Sequence, residues 1–130
     1  YVVAAVGEAS GEVPYTAYIA KRSWLNENTE AAEGFLRAVM RAIDFAENEP
    51  AMTVAEHLLP HFPSTSQESL AVSVESYRSI SAWQPDMTLS EESFNRLQDI
   101  IESAGELPER ADYQALVDNS LAQRIAAALK

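Results

Sequence analysis

The sequence predicts a mixed α/β fold in which helices dominate and two short strands lie at the amino-terminal end. The strands are predicted at residues 2–6 and 13–20, two runs rich in β-branched and aromatic residues that are separated by a loop with two glycines. After residue 28, apolar residues recur every three or four positions, as on one face of an amphipathic helix. With 130 residues, 47% of them apolar, the chain suits one domain with a core.

The predicted strand pair is incomplete by itself, because two short strands do not form an independently stable sheet. Pro14 lacks an amide N–H, so we expect it at the start of the second strand or on a sheet edge. The chain begins with Tyr1 inside the first strand, without the basic region of a signal peptide, and we expect a piece of a longer protein. An open strand edge seeks a partner, so we also expect a homodimer of the isolated chain through strand pairing.

Four or five helices are predicted from their start and stop signals. Asn28 is expected to cap the first of them, which ends before Pro50. A short second helix covers residues 51–59 and ends at Pro60. The last helical segment covers residues 113–129 and carries an interruption.

The third and fourth helices have clearer caps. Thr65 and Glu68 form a capping box at the start of the third helix, and Ser90 caps the fourth, which Gly105 follows as the C′ residue. The helical period predicts their buried faces. These faces are Leu70, Val74, Tyr77 and Ile80 in the third helix, and Phe94, Leu97, Ile100, Ile101 and Ala104 in the fourth.

Composition excludes several classes of function. Nine basic and 20 acidic residues give a net charge of −11, which repels phosphate backbones and anionic lipid, so no nucleic-acid partner is expected. The absence of cysteine excludes disulfides, thiolate nucleophiles and zinc ribbons. No apolar run approaches the roughly 20 residues of a membrane span.

Catalytic and cofactor motifs are also absent, so we predict neither an enzyme nor a cofactor. The sequence contains no Gly-x-Ser-x-Gly elbow, no phosphate-binding loop and no dinucleotide fingerprint. His57 and His61 have the spacing of two metal ligands on one helix, but Pro60 between them is expected to end that helix. A structural or surface role is therefore predicted for both. The paired carboxylates lie mostly at predicted helix ends, where the helix dipole explains them.

The chain resembles a known family over most of its length, from about residue 2 to residue 122. The Val-Pro-Tyr-Thr run at residues 13–16 precedes a strand-like stretch and a helix with Phe-Leu-Arg-Ala at residues 35–38. Near the other end, a helix closing at Gly105 is followed by Leu-Val-Asp-Asn at residues 116–119 and a short terminal helix. This pattern resembles the C-terminal half of the periplasmic substrate-binding proteins of ABC importers, in the group for nitrate, sulfonates, taurine and thiamine-pyrimidine precursors.

The resemblance implies a two-lobed type II binding protein whose α/β lobes close on a small molecule at a hinge. It places a strand pair and the hinge crossing at residues 1–22, and the helical C-terminal part of a lobe at residues 23–130. It further implies ABC permease subunits as partners, no cofactor, and a periplasmic or extracellular location with or without a lipid anchor.

Position near the crossing makes Glu8, Tyr15 and Thr16 the candidate ligand-binding residues. Glu8 suits a cationic or amino-bearing ligand and equally suits solvent. An anionic ligand needs positive charge, which Lys21 and Arg22 supply near the hinge, whereas an aminopyrimidine suits stacking on Tyr15. The ligand therefore stays open at this point.

Two other classes of function compete with this interpretation. A small self-standing helical protein would use its amphipathic helices to bind a partner or itself. An enzyme that uses carboxylates ranks last, because no pair of acids has a catalytic spacing.

Overall fold

The computed structural model describes residues 10–129, which form a small helical domain. Seven α-helices lie between residues 22 and 128, with one 3-10 turn. They are α1 Arg22–Glu27, α2 Thr29–Asn48, α3 Ala51–Leu58, the 3-10 turn Leu59–His61, α4 Gln67–Ser79, α5 Glu91–Ser103, α6 Tyr113–Leu116 and α7 Ser120–Ala128. No β-strand occurs between residues 10 and 129, so the predicted α/β class with two short amino-terminal strands is wrong.

The strand predicted at residues 13–20 is replaced by an irregular segment. No backbone–backbone hydrogen bond within the described range involves these eight residues. Strand propensity expresses a fit to neighbouring strands, and residues 10–129 offer none, so the β-branched and aromatic side chains cannot impose a strand alone. The other predicted strand, residues 2–6, lies outside the described residues.

The long helix α2 begins and ends where the sequence predicts, but its cap differs. The side chain of Asn28 makes no capping bond to α2 and instead donates from Nδ2 to the Trp24 carbonyl at 3.0 Å, within α1. The short α1 was not predicted. Ala32 and Met40 are the buried residues of α2.

Helices α3 and α4 form a hairpin with a small apolar core. Ala55 is fully buried and packs with Leu70 and Ala71, while Ala51 and Leu58 flank them. The small side chains let the two helices approach closely, so that the facing sides of α3 and α4 contact each other and exclude water. This hairpin is the most extensive helix pairing in the described part of the chain.

Arg78 joins this hairpin to the end of α2. Its Nε and Nη2 donate to the Ala46 carbonyl at 2.8 and 2.5 Å, and Nη2 also donates to the Glu49 carbonyl at 2.5 Å. The last carbonyls of a helix lack partners within the helix, and a cation there also complements the helix dipole. Arg78 therefore fixes the turn between α2 and α3 against α4.

A second apolar cluster joins α2 to the last helix. Met40 packs with Ala122 and Ile125 of α7, and Leu36 and Met87 lie against them, as does Ala126. Met87 comes from the loop before α5 and adopts a positive φ of 53°. The cluster thus closes the C-terminal end of the chain back onto α2.

Much of the apolar surface remains open. Many large apolar side chains between residues 10 and 129 are exposed, among them Ile19, Val72 and Leu116. Tyr77, Ile80 and Ile100, which were predicted to be buried, are 52%, 37% and 44% exposed. Their helices have too few neighbours among residues 10–129 to cover these faces, so the prediction of a closed core is wrong there.

Candidate functional site

The predicted ligand-binding residues do not meet in a cleft of the described chain. Tyr15 is 99% exposed, and Thr16 beside it is exposed as well. Glu8 lies outside the described residues. Tyr15 and Thr16 sit in the irregular segment that leads to α1, open to solvent rather than facing a pocket.

This segment is anchored at its beginning by Glu12. Ser93 of α5 is buried, and its Oγ donates to Glu12 Oε1 at 2.7 Å, while Arg96 Nη1 donates to the Glu12 carbonyl at 3.0 Å. Gly11 has a positive φ of 69°, and a Cβ there would lie 3.1 Å from Arg96 Nη1. Glycine is therefore the residue that allows this close approach to α5.

The N-terminal turn of α5 explains why Ser93 is held so firmly. Ser90 caps the helix by accepting the Ser93 amide at 3.0 Å, and the two hydroxyls lie 2.7 Å apart. This confirms the predicted cap. The glutamate that completes the contact, Glu12, had no signal in the sequence, because its partner lies 81 residues away.

The segment is anchored again at its end by Arg22. The guanidinium of Arg22 donates from Nη2 to the Ala115 carbonyl of α6 at 2.7 Å. Before it, the ring of Tyr18 meets Phe35 of α2 edge to face, with centroids 4.8 Å apart. The basic pair predicted for an anion is therefore divided, since Arg22 holds a carbonyl while Lys21 is exposed at the start of α1.

Asn119 forms a polar clamp, which here means one side chain that hydrogen-bonds both backbone groups of a distant residue. Asn119 accepts the Leu89 amide at 3.0 Å with Oδ1 and donates from Nδ2 to the Leu89 carbonyl at 2.9 Å. The Tyr113 hydroxyl donates to the same carbonyl at 2.6 Å and accepts from Asn119 Nδ2 at 3.1 Å. One amide side chain thus satisfies both backbone groups of Leu89.

Asp118 performs a different task from its neighbour. Its Oδ1 accepts the Ser120 amide at 3.0 Å at the start of α7, whose N-cap residue Asn119 makes no side-chain capping bond. The break between α6 and α7 confirms the predicted interruption of the last helical segment. Hydrogen bonds from the side chain and backbone of Ser120 lower the pKa of Asp118, and the nearby charge of Arg22 adds to the effect. The two residues of this pair therefore have structural roles: Asp118 acts at the start of α7, and Asn119 acts on a loop 30 residues away.

Gln98 repeats the clamp on α5. It is buried, and its Oε1 accepts the Ala111 amide at 2.6 Å while Nε2 donates to the Ala111 carbonyl at 3.2 Å. Arg110 next to it pairs with Asp99 and with Glu102, and the hydrogen bond to Asp99 raises the pKa of Arg110. The connection between α5 and α6 is therefore largely polar.

These polar groups are engaged by the protein itself. Between residues 10 and 129, no buried side-chain nitrogen or oxygen lacks a hydrogen-bond partner. Two open hollows lie on the surface. One of about 410 Å³ lies between α3 and α4, and the other, of about 330 Å³, is lined by Ile19, Ala20 and Lys21. Both are mainly apolar and open, unlike the enclosed sites that usually bind small molecules.

The histidines take local roles. His57 Nδ1 lies 2.9 Å from the Thr53 carbonyl, and the His57 ring packs edge to face on Phe45. His61 falls in the 3-10 turn that Pro60 introduces, beyond the end of α3. The described residues contain no group of three His, Asp or Glu side chains placed to hold a metal ion. Within the same range, no helix has the length and apolar content to cross a membrane.

Comparison with known proteins finds one informative similarity. The chain is 34% identical over 125 residues to a protein of Bacillus subtilis (strain 168) named "Putative binding protein YtlA". The matched region covers 96% of this chain but 37% of that protein, so the chain spans about 37% of the length of the curated relative it matches. No family model and no solved structure matches the chain. The similarity is consistent with a binding role, and the relative's name specifies no ligand.

Proposed function

We propose that this chain is the helical part of a longer solute-binding component of an ABC importer, which captures a small molecule by closure of two lobes. The observation that carries the proposal is the 34% identity, over nearly the whole chain, to a protein named as a binding protein. The resemblance of residues 13–16, 35–38 and 116–119 to importer binding proteins supplies the finer assignment. Such a protein performs no chemistry on its ligand and presents it to permease subunits in the periplasm or outside the cell.

The geometry supports a binding role that needs further residues. The polar groups described above are saturated by internal contacts, while Tyr15 and Thr16 present a ring and a hydroxyl to solvent. A ligand site usually buries most of its ligand among apolar walls and a few polar groups. Residues 10–129 supply one open wall of such a site, and the rest of a longer protein would supply the other.

The candidate ligands are the ones that the resemblance implies: a sulfonate such as taurine, nitrate, or a pyrimidine precursor. Tyr15 favours a planar ring, because an exposed phenol offers a stacking face. Lys21 favours an anion, because it is exposed and Arg22 is occupied by the Ala115 carbonyl.

Thermal denaturation of the natural full-length protein with these ligands tests the proposal. A ligand at about 100 times its Kd stabilises the folded state by about 2.7 kcal/mol, which raises the Tm by several degrees. Tyr15→Ser is expected to weaken the shift, whereas Tyr77→Ser, at another exposed tyrosine, is expected to leave it unchanged. The proposal fails if no ligand in the panel raises the Tm, or if a ligand is chemically converted.

A small helical interaction module is the second candidate, and the open apolar surface favours it. In that case the natural protein would bind no small molecule, and its Tm would rise with protein concentration or with a protein partner.

A further inference from the structure

The three methionines of the chain have different surroundings. Met40 of α2 is buried, with 5% of its surface exposed, whereas Met52 of α3 is 46% exposed. Met87, in the loop between α4 and α5, is partly buried and packs against the cluster of Met40, Ala122 and Ile125. A flexible, apolar thioether fills an irregular gap in such a cluster well. Met87 is therefore the more exposed of the two methionines at this cluster.

The backbone of Met87 is strained. Its φ of 53° lies in the left-handed region, where a bulky side chain is an outlier. Asp86 shapes the turn, because its Oδ1 accepts the Thr88 amide at 3.0 Å and the Thr88 hydroxyl at 2.7 Å. The Met87 amide donates to the Gln84 carbonyl at 3.1 Å. A strained conformation persists only where its surroundings hold it, so packing of the Met87 side chain and this turn stabilise each other.

The cluster holds α7 against α2. The other contact between these two helices that involves charge is the ion pair of Arg124 with Glu33, whose side chains are 57% and 28% exposed. Ion pairs with this much exposure contribute little to stability. We therefore expect apolar contact around Met40 and Ile125 to provide most of the attachment of α7. A polar group placed in this contact without a partner would weaken it.

We propose that Met87 is an oxidation site that controls the access of peroxide to Met40 and, through it, the attachment of α7 to α2. A lone pair on Met87 Sδ attacks one oxygen of hydrogen peroxide, the O–O bond breaks, and a proton moves to the departing hydroxide. The products are a sulfoxide and water, so sulfur loses two electrons and the peroxide gains them. The proposal goes beyond the proposed function and does not depend on a ligand.

The consequence for the cluster follows from polarity and strain. A sulfoxide is polar and fits poorly among apolar side chains. Once the side chain of Met87 leaves the cluster, the turn is free to relax from its positive φ. The cluster then opens, and Met40 becomes accessible to a second peroxide molecule.

Timed treatment of the natural full-length protein with hydrogen peroxide, followed by peptide mass mapping, tests the order of oxidation. Met87 is expected to be oxidised first of the pair, and Met40 only after a lag. Met52 reports the rate for an accessible methionine in the same sample. Oxidation of Met40 without a lag, or resistance of Met87 equal to that of Met40, would overturn the proposal.

Two substitutions at Met87 separate its polarity from its size. Met87→Leu conserves volume but cannot be oxidised, so Met40 is expected to be oxidised several-fold more slowly than in the natural protein. Met87→Gln carries a polar group from the start, and Met40 oxidation is expected to be roughly tenfold faster and to lose its lag. Met52→Leu is the control and is expected to leave Met40 unchanged. Equal rates at Met40 in all these proteins would overturn the proposal, and Met87→Leu decides alone if Met87→Gln does not fold.

Trypsin reads the attachment of α7 separately. Cleavage after Arg124 is expected to be on the order of tenfold faster in the oxidised natural protein, to be unchanged in peroxide-treated Met87→Leu, and to slow again after treatment with methionine sulfoxide reductases. Cleavage after Arg110, between α5 and α6, is the internal reference. Ordered oxidation without faster cleavage after Arg124 would overturn the control of α7 by Met87. None of these readouts uses a ligand, so failure of the solute-binding function leaves them unaffected.

Discussion

The α3–α4 hairpin and the C-terminal region from Asp86 to Asn119 are stabilised by different interactions. In the hairpin, Ala55, Leu70 and Ala71 exclude water from a small apolar core. In the C-terminal region, Asn119 and Gln98 each clamp one residue's backbone amide and carbonyl across 30 and 13 residues of sequence. We therefore expect the hairpin core to be sensitive to changes of side-chain volume, and the C-terminal region to be sensitive to the loss of polar side chains.

The difference matters for function. Apolar packing between α3 and α4 leaves an open face on these helices, whereas the Asn119 clamp fixes the position of the loop before α5. Asn119 holds Leu89 directly before the α5 cap, and α5 in turn holds Glu12. The position of the segment that follows Glu12 therefore depends on the polar region rather than on the apolar hairpin.

Ala55→Leu is expected to have the largest effect. The added atoms have no space beside Leu70 and Ala71, so overpacking is expected to lower the free energy of unfolding by about 3 kcal/mol. Urea denaturation measures the change. Ala38→Leu at an exposed position of α2 is the control and is expected to stay within about 0.5 kcal/mol. Equal effects at the two positions would show that the hairpin core is not closely packed.

Asn119→Ala is expected to have the next largest effect. It removes the bonds to Leu89 and to the Tyr113 hydroxyl and is expected to cost about 2 kcal/mol, because partly buried polar groups lose their partners. The control is Asn48→Ala, which removes only contacts to Asp44 within α2. If both variants unfold at the same urea concentration, the clamp contributes nothing.

Ser90→Ala is expected to cost about 1 kcal/mol, the usual loss for a helix N-cap. Proteolytic cleavage between residues 10 and 20 is also expected to accelerate, since Ser93 then loses its orientation toward Glu12. Ser66 caps α4 in the same way but does not contact Glu12, so Ser66→Ala is the matched control. Accelerated cleavage between residues 10 and 20 in both variants would contradict a specific anchor on α5.

The smallest effect on the free energy of unfolding is expected when the pH is lowered through the pKa of Asp86. Burial alone raises the pKa of Asp86, but hydrogen bonds from Thr88 and Gln84 outweigh it and lower the pKa below its usual value. The folded state therefore gains stability above a pH of about 4, and loses it as the pH falls through the lowered pKa. Asp86→Asn is expected to flatten this part of the unfolding curve against pH. If the free energy of unfolding depends on pH equally in both proteins, Asp86 does not contribute to acid sensitivity.

The sequence predicted the helices well and their environment poorly. The helical period and the stop signals placed α2 and α3 correctly, and the Ser90 cap was also correct, because these features depend on residues within one or two turns. The capping box at Thr65 was wrong by one residue, since Ser66 is the cap that accepts the Ser69 amide. On α5 the buried residues are Ser93 and Gln98 rather than Ile100, because the neighbours of this helix are the polar Glu12 and the Ala111 backbone.

The candidate site was less predictable than the helices. Tyr15 and Thr16 were chosen by resemblance, and the described residues neither enclose them nor bring another polar group to them. The contacts that hold their segment join residues 81 to 93 positions apart, which no local pattern reveals. The strand prediction at residues 13–20 was wrong for the same reason, because a strand requires a partner from elsewhere.

Calorimetric titration of the natural full-length protein with taurine, nitrate, an alkanesulfonate and an aminopyrimidine tests the central claim most directly. The account predicts saturable binding of one molecule per chain by one of these ligand classes, with no product formed. Absence of saturable binding by every one of them, in a protein that unfolds cooperatively, would contradict a solute-binding function.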